Sequence, residues 1–389
     1  MSLEILLVLL LLIIFPLGQL TRLPLNIPQV NIYCHDLIIV LLVLIWLSKK
    51  IFAKERISWP FLTKPILSFV IISCFSLVLV FPYRQRGELV IAFFYLLRWI
   101  IYSGLYFVLT DILKKNNQLR NKLYKLMVSA GIIAAALGLI QYIFLPDIRP
   151  LTVFGWDPHY GRVVGSYLDP GFTALIYVLA LILIGTNLGY GIIFVFVYLA
   201  LALTYSRSGY LAYLTGMTII AWYKKSIKFW LIVLSAGILT ILLLPRPKGE
   251  GVKLERQSTI WARINNWKQA LTISSSKPVF GVGFNTYRYV QKEWGFLDAS
   301  DWQVSHAGAG ADNSFLFVLA TTGIIGLISY LGIIGQIKKR FWERKNITII
   351  STIGAVMVHA LFNNSLFYSW VMIWLWLIIA LNEEVKDYK

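Results

Sequence analysis

Arginine is the first residue type in this chain whose placement could do chemistry. Arg22, Arg84, Arg86, Arg149, Arg162 and Arg207 fall in short loops or at the ends of apolar stretches, on one side of an alternating pattern, and no lysine accompanies them there. The segments on the opposite side, at 49–64, 114–125, 224–228, 338–345 and 386–389, are mostly lysine. Setting the orientation of a membrane protein requires only positive charge, so it does not explain the difference. A guanidinium fork grips a phosphate or pyrophosphate through two parallel hydrogen bonds, whereas an ammonium is a point charge. The pattern therefore predicts a site for an anionic phosphate group. The plainer alternative is that these arginines reach up to lipid headgroups. Arg98 differs, because it falls near the middle of an apolar stretch. A charge there usually faces the protein interior. It either holds the bundle together or lines a path for a lipid phosphate, and the sequence leaves both open.

The elements that must position these residues are membrane-grade. The chain has 389 residues, 58% of them hydrophobic, and a mean hydropathy of +0.71, which excludes an ordinary soluble domain. Apolar stretches at 3–20, 36–48, 64–82, 89–109, 123–145, 171–188, 190–206, 208–223, 228–245, 313–335, 347–364 and 366–381 predict an all-α polytopic membrane protein of about twelve transmembrane helices. The first stretch lacks a basic leader and a small-residue cleavage site and reads as a retained span. Twelve spans put both termini on one side, and the lysine-rich loops make that side cytoplasmic. The net charge of +18 is then a mark of orientation, not of a nucleic-acid partner. Cys34 and Cys74 fall in a loop and in a span, and no disulfide is expected.

The exception is the long polar interval 246–312, which on this topology lies outside the cytoplasm. The expected organisation is a transmembrane bundle over 1–245, an extracytoplasmic cap over 246–312, and C-terminal helices with a cytoplasmic tail over 313–389. Within the cap, Ile260, Trp261, Ile264, Trp267 and Leu271 recur at helical spacing, with Ser258 as the expected N-cap. Tryptophans on such a face suit a membrane–water interface, and Arg263 flanks the stripe. Gly281 and Gly283 read as a tight turn into a second helix bearing Phe284, Tyr287 and Trp294. A phosphate-loop reading of that Gly-x-Gly has no preceding strand to support it.

Three segments together resemble the O-antigen ligase and O-antigen polymerase (Wzy-like) superfamily: GRVVGSYLDPGFTA at 161–174, TYSRSGYLAYLTG at 204–216, and the cap. In and after the cap the matching pieces are Arg263-Ile-Asn-Asn-Trp267, Pro278-Val-Phe-Gly-Val-Gly283, Asp312-Asn-Ser-Phe-Leu316 and Gly323-Ile-Ile-Gly326. One departure stands out. Ligases of the family usually carry His-Asn where this chain has Asp312-Asn313, with His306 the nearest histidine. In that respect the chain looks more like a polysaccharide polymerase.

The resemblance implies a GT-C-like glycosyltransferase of the bacterial inner membrane, with a multi-pass fold and a periplasmic active site. The donor it implies is a polyprenyl-pyrophosphate-linked oligosaccharide, and the acceptor is a sugar hydroxyl of a second glycan. The bilayer is a partner, and a chain-length regulator or flippase is a further one. Charge developing on the leaving pyrophosphate needs fixed cations, for which Arg207 and Arg263 are the catalytic candidates. Arg162, Arg84 and Arg86 are expected in substrate binding, together with Asn313, Trp267 and Tyr287. The acceptor hydroxyl needs a base, either His306 or Asp312. No cofactor is expected. No metal is expected either, since His35, His159, His306 and His359 lack ligand spacing. The rival readings are a ligase with another acceptor, such as lipid A core, and a membrane transporter. Against the transporter, no inverted repeat is evident.

Overall fold

The computed structural model describes residues 2–25, 29–52, 54–55, 59–154, 156–186, 191–246, 249–297, 302–303 and 310–383. Each predicted apolar stretch contains a helix, residues 187, 188 and 190 lying outside the described residues: α1 (Leu3–Ile14), α2 (Cys34–Phe52), α3 (Thr63–Val80), α4 (Arg86–Lys115), α5 (Leu119–Phe144), α6 (Pro170–Gly185), α7 (Gly191–Ala202), α8 (Arg207–Tyr223) and α9 (Ile227–Leu243). The long polar interval holds α10 (Ser258–Ser276) and α11 (Tyr287–Glu293). After it come α12 (Ser314–Glu343), α13 (Ile347–Ala360) and α14 (Ser369–Asn382). Among the described residues there is no strand, only two isolated bridges.

Among the described residues, five helical segments are long and apolar enough to cross a membrane: Leu3–Thr21, Thr63–Tyr83, Arg86–Lys115, Leu119–Phe144 and Ser314–Glu343. Five more apolar helices are shorter. A helix the length of α6 spans only ~24 Å at 1.5 Å per residue, less than the ~30 Å hydrocarbon layer. Burial explains why such short helices persist. From Thr173 to Gly185, α6 is buried all round, and α14 is nearly so. A helix apolar on every face belongs in the middle of a bundle. By contrast, α9 buries only Val233 and Thr240 and leaves Leu231, Ile232, Leu239 and Leu242 exposed, as a lipid-facing helix would.

The cap is welded to the bundle through a break in α12. Gly323 has φ +67 inside that helix, a conformation that favours glycine. The break frees backbone groups, and the 278–283 segment satisfies them. Val282 N donates to Ala320 O at 2.9 Å and Gly283 N to Thr321 O at 3.0 Å, while Ile324 N donates to Pro278 O at 2.9 Å. A Cβ on Gly323 would lie 2.1 Å from Val279 O, so no larger residue fits. The amides of Val282 and Gly283 thus bond to α12, which leaves no phosphate loop there.

One expectation about α10 needs correction. Ser258 is its first helical residue and not its cap; Gln257 takes the cap position without a side-chain bond. The buried face is Ala270, Ile273 and Ser274, packed on Val282, Tyr287, Val290 and Phe317. Ile260, Trp261 and Leu271 remain exposed, because only the C-terminal half of the helix sits on the α12 weld. Ser275 is exposed on α10, which gives the topology a direct test. A cysteine placed there should react with an impermeant maleimide in intact spheroplasts, and labelling only after lysis would overturn the outward orientation of the cap.

Candidate active site

The site begins at the turn before α8. Tyr205 has φ +50, an unfavourable conformation for a bulky residue. Arg162 props the turn. Its Nε donates to Thr204 O at 2.9 Å and its Nη2 to Tyr205 O at 3.2 Å. Ser206 then caps α8, accepting from Gly209 N at 3.2 Å, so Arg207 emerges at the helix mouth. Arg207 reaches across to the segment before α10, donating to Leu254 O at 3.3 Å, to Arg256 O at 3.2 Å and to Thr259 Oγ1. Arg256 donates to Gly251 O and Lys253 O, both at 2.8 Å. The guanidinium of Arg263 lies over the Phe362 ring at 5.9 Å.

These four guanidiniums form one cationic cluster. Burial and then Arg256 push the Arg162 guanidinium down to about 9, where it stays charged at neutral pH. Burial also lowers Arg256, with Arg207 and Arg263 adding. Burial lowers Arg263 too; Asp312 opposes that shift and Arg207 reinforces it. None of the four forms an ion pair with a carboxylate among the described residues. Like charges gathered without an ion-paired carboxylate are costly, and an anionic ligand offsets that cost.

Beside the cluster is a cavity of about 460 Å³ with Asp157, Asp169 and Asp312 in its walls, among the aromatic faces of Tyr167, Phe172, Tyr368 and Trp370. The four arginines are not among its lining residues. Arg263 connects the two regions by acting on Asp312 and Asp169. The backbone of Asp312 is held by α10: its N donates to Asn266 Oδ1 at 2.7 Å, and Trp267 Nε1 donates to its carbonyl at 3.2 Å. Burial raises its carboxyl above the ordinary range; Arg263 opposes the rise, while Asp169 and Asp157 add to it. Asp169 caps α6, its Oδ1 accepting from Phe172 N at 2.8 Å.

The structure disperses several predicted site residues. Arg84 pairs with Glu293 at 2.5 Å and so ties α11 to the α3–α4 turn. Arg86 is exposed at the start of α4. Asn313 caps α12, accepting from Phe315 N and Leu316 N at 2.9 and 3.0 Å and donating to Leu361 O at 3.1 Å. Tyr287 is fully buried against Phe317, and its hydroxyl has no partner among the described residues. Trp267 meets Phe362 at 6.0 Å. His306 lies outside the described residues. Arg98 pairs with Asp36 at 2.7 Å, and Tyr102 donates to the same carboxylate at 2.6 Å. It thus holds α4 to α2, and it also lines the cavity.

Sequence reasoning missed Arg256, Asp157 and Asp169. Asp169 could have been found, since it stands in the 161–174 segment singled out in the sequence, just before Pro170. Sequence spacing also concealed a possible cation set. Asp157, His159 and Asp169 bring ligand atoms within 4.8 Å of one another. His159 Nε2 is buried without a partner among the described residues, and burial, with Arg162 adding, pushes its pKa down to about 4, leaving the imidazole neutral as a metal ligand requires. Two carboxylates and an imidazole would suit a divalent ion, although Arg162 and Arg256 act on the same histidine and weaken the attraction.

Residues 192–331 match the family described as O-antigen ligase, and no curated protein matches the chain. The matched stretch contains Arg207, Arg256, Arg263 and Asp312 together with the α12 weld, so over these residues the chain is similar to that family.

Proposed function

We propose that this multi-pass membrane protein is a metal-independent polysaccharide polymerase, moving a glycan from a polyprenyl-pyrophosphate carrier to an acceptor sugar hydroxyl outside the cytoplasmic membrane. The observation that carries the proposal is the arginine cluster, without an ion pair among the described residues, set against a buried Asp312 at the cavity wall. The acceptor O–H gives its proton to Asp312, and its oxygen bonds to the anomeric carbon. The bond from that carbon to the pyrophosphate oxygen breaks, and its electron pair leaves with the pyrophosphate. Arg207, Arg256 and Arg263 stabilise the negative charge that grows there. Arg162 acts by presenting Arg207. His306 is the rival base.

Ligase activity is the second reading, favoured by the description of the matching family. The glycan profile of cells lacking the protein separates the readings. A single repeat unit left on the acceptor means polymerase. Unmodified acceptor alongside long lipid-linked chains means ligase. Unchanged glycan with a solute-uptake defect would sink both in favour of a transporter. Because guanidiniums take the place of a divalent ion at the pyrophosphate, transfer in vitro should survive EDTA. Loss of transfer restored by magnesium or manganese would move the leaving-group role to Asp157, His159 and Asp169.

A further inference from the structure

The mechanism makes no use of His359, yet this side chain is completely buried and bonded on both ring nitrogens. Nε2 lies 3.0 Å from Gly171 O and 3.3 Å from Ser208 Oγ, and Nδ1 lies 2.7 Å from Ser365 Oγ. A carbonyl can only accept, so Nε2 carries the proton and donates to Gly171 O, while Nδ1 accepts from the Ser365 hydroxyl. Each neighbour leads to a different part of the site. Gly171 stands two residues after Asp169, at the first turn of α6. Ser208 follows Arg207, at the first turn of α8. Asn363 Nδ2 donates to Ser208 Oγ at 3.0 Å, and Asn363 O accepts from Ser314 Oγ at 3.1 Å, two residues after Asp312. Asn363 itself lines the cavity.

From this geometry we infer that His359 is a positioning residue that sets Arg207, Asp169 and Asp312 in register, so that the leaving-group cations and the carboxylates face one reaction line. The inference rests on the transfer reading for its kinetic consequence but not for its structural one. A misplacement of ~1 Å in such a register costs about 100-fold in rate. His359→Leu fills the space and removes both hydrogen bonds. His359→Gln keeps an amide N–H that can reach Gly171 O.

Two measurements on the full-length protein test this. In hydrogen exchange, His359→Leu should speed exchange at the first turns of α6 and α8 together, and His359→Gln should restore protection. In transfer from a synthetic polyprenyl-pyrophosphate oligosaccharide, His359→Leu should lower kcat about 100-fold with donor KM nearly unchanged, and Gln should recover most of the loss. Unchanged exchange at both turns overturns the inference, whether or not the protein transfers glycan. So does a uniform loss of protection across the bundle in both variants, which would make His359 a packing residue only. A wild-type protein with no transfer but coupled exchange changes counts against the transfer reading and leaves the positioning role standing.

Discussion

Asp312→Asn should lower turnover by about 10²–10⁴-fold, the range for removing a general base, while donor binding changes little. The substitution is nearly isosteric. The backbone bonds from Asp312 N to Asn266 and from Trp267 to Asp312 O do not involve the side chain and should persist. Only the proton acceptor is lost. The pH profile makes the test specific. The Asp312 carboxyl is raised by burial, so it protonates at a pH above the ordinary carboxylate value. A base acts only in its ionised form, so kcat should fall as pH drops through that raised value and level off above it. In Asp312→Asn this acid limb should vanish along with most of the rate. If His306 is the base instead, the limb will centre near the ordinary histidine value of about 6.5 and will survive the substitution. Near-normal turnover of Asp312→Asn would remove this residue from the proposed mechanism.

Arg263→Lys should cost on the order of 100-fold in turnover, as expected when one oriented donor is taken from a transition-state site. Charge is conserved, so the loss reports the planar fork. Donor KM should rise less than kcat falls, since the charge being stabilised grows as the bond breaks. Arg263 is the cleanest member of the cluster to test, because its guanidinium rests on the Phe362 ring and makes no ion pair among the described residues. Arg207→Lys should differ in kind. Arg207 also holds Leu254 O, Arg256 O and Thr259 Oγ1. One ammonium cannot span all three, so the cap edge loosens and KM should rise together with the fall in kcat. Arg22, exposed at the end of the first apolar segment, is the control for a headgroup anchor, and Arg22→Lys should behave as wild type. Turnover of Arg263→Lys equal to that control would mean that the outer arginines are lipid anchors and not a pyrophosphate site.

The amino-acid sequence by itself determined the helices, because helix formation draws on nearby residues and an apolar run leaves the backbone no other way to satisfy its own groups in lipid. It also determined the asymmetry between arginine and lysine, and the resemblance to the O-antigen ligase family, since Ser206-Arg207-Ser208-Gly209 and the cap motifs are contiguous. One local signal misled, and it lies on α10. A serine before an apolar stripe looks like a cap, but Gln257 takes that position, and the α12 weld decided which side of α10 is covered. Only the tertiary structure decided which arginines act together. Arg84 and Arg162 look like Arg207 in sequence, yet one is tied to Glu293 and the other props a turn, because a guanidinium bonds to whatever acceptors the packing brings near. The approach of Arg256 and Arg263 to Arg207, and the gathering of Asp157, Asp169 and Asp312 by the cavity, join segments far apart in the chain. Their proximity is set by how α6, α8, α10 and α12 cross and by the break at Gly323, and no short-range pattern encodes those angles.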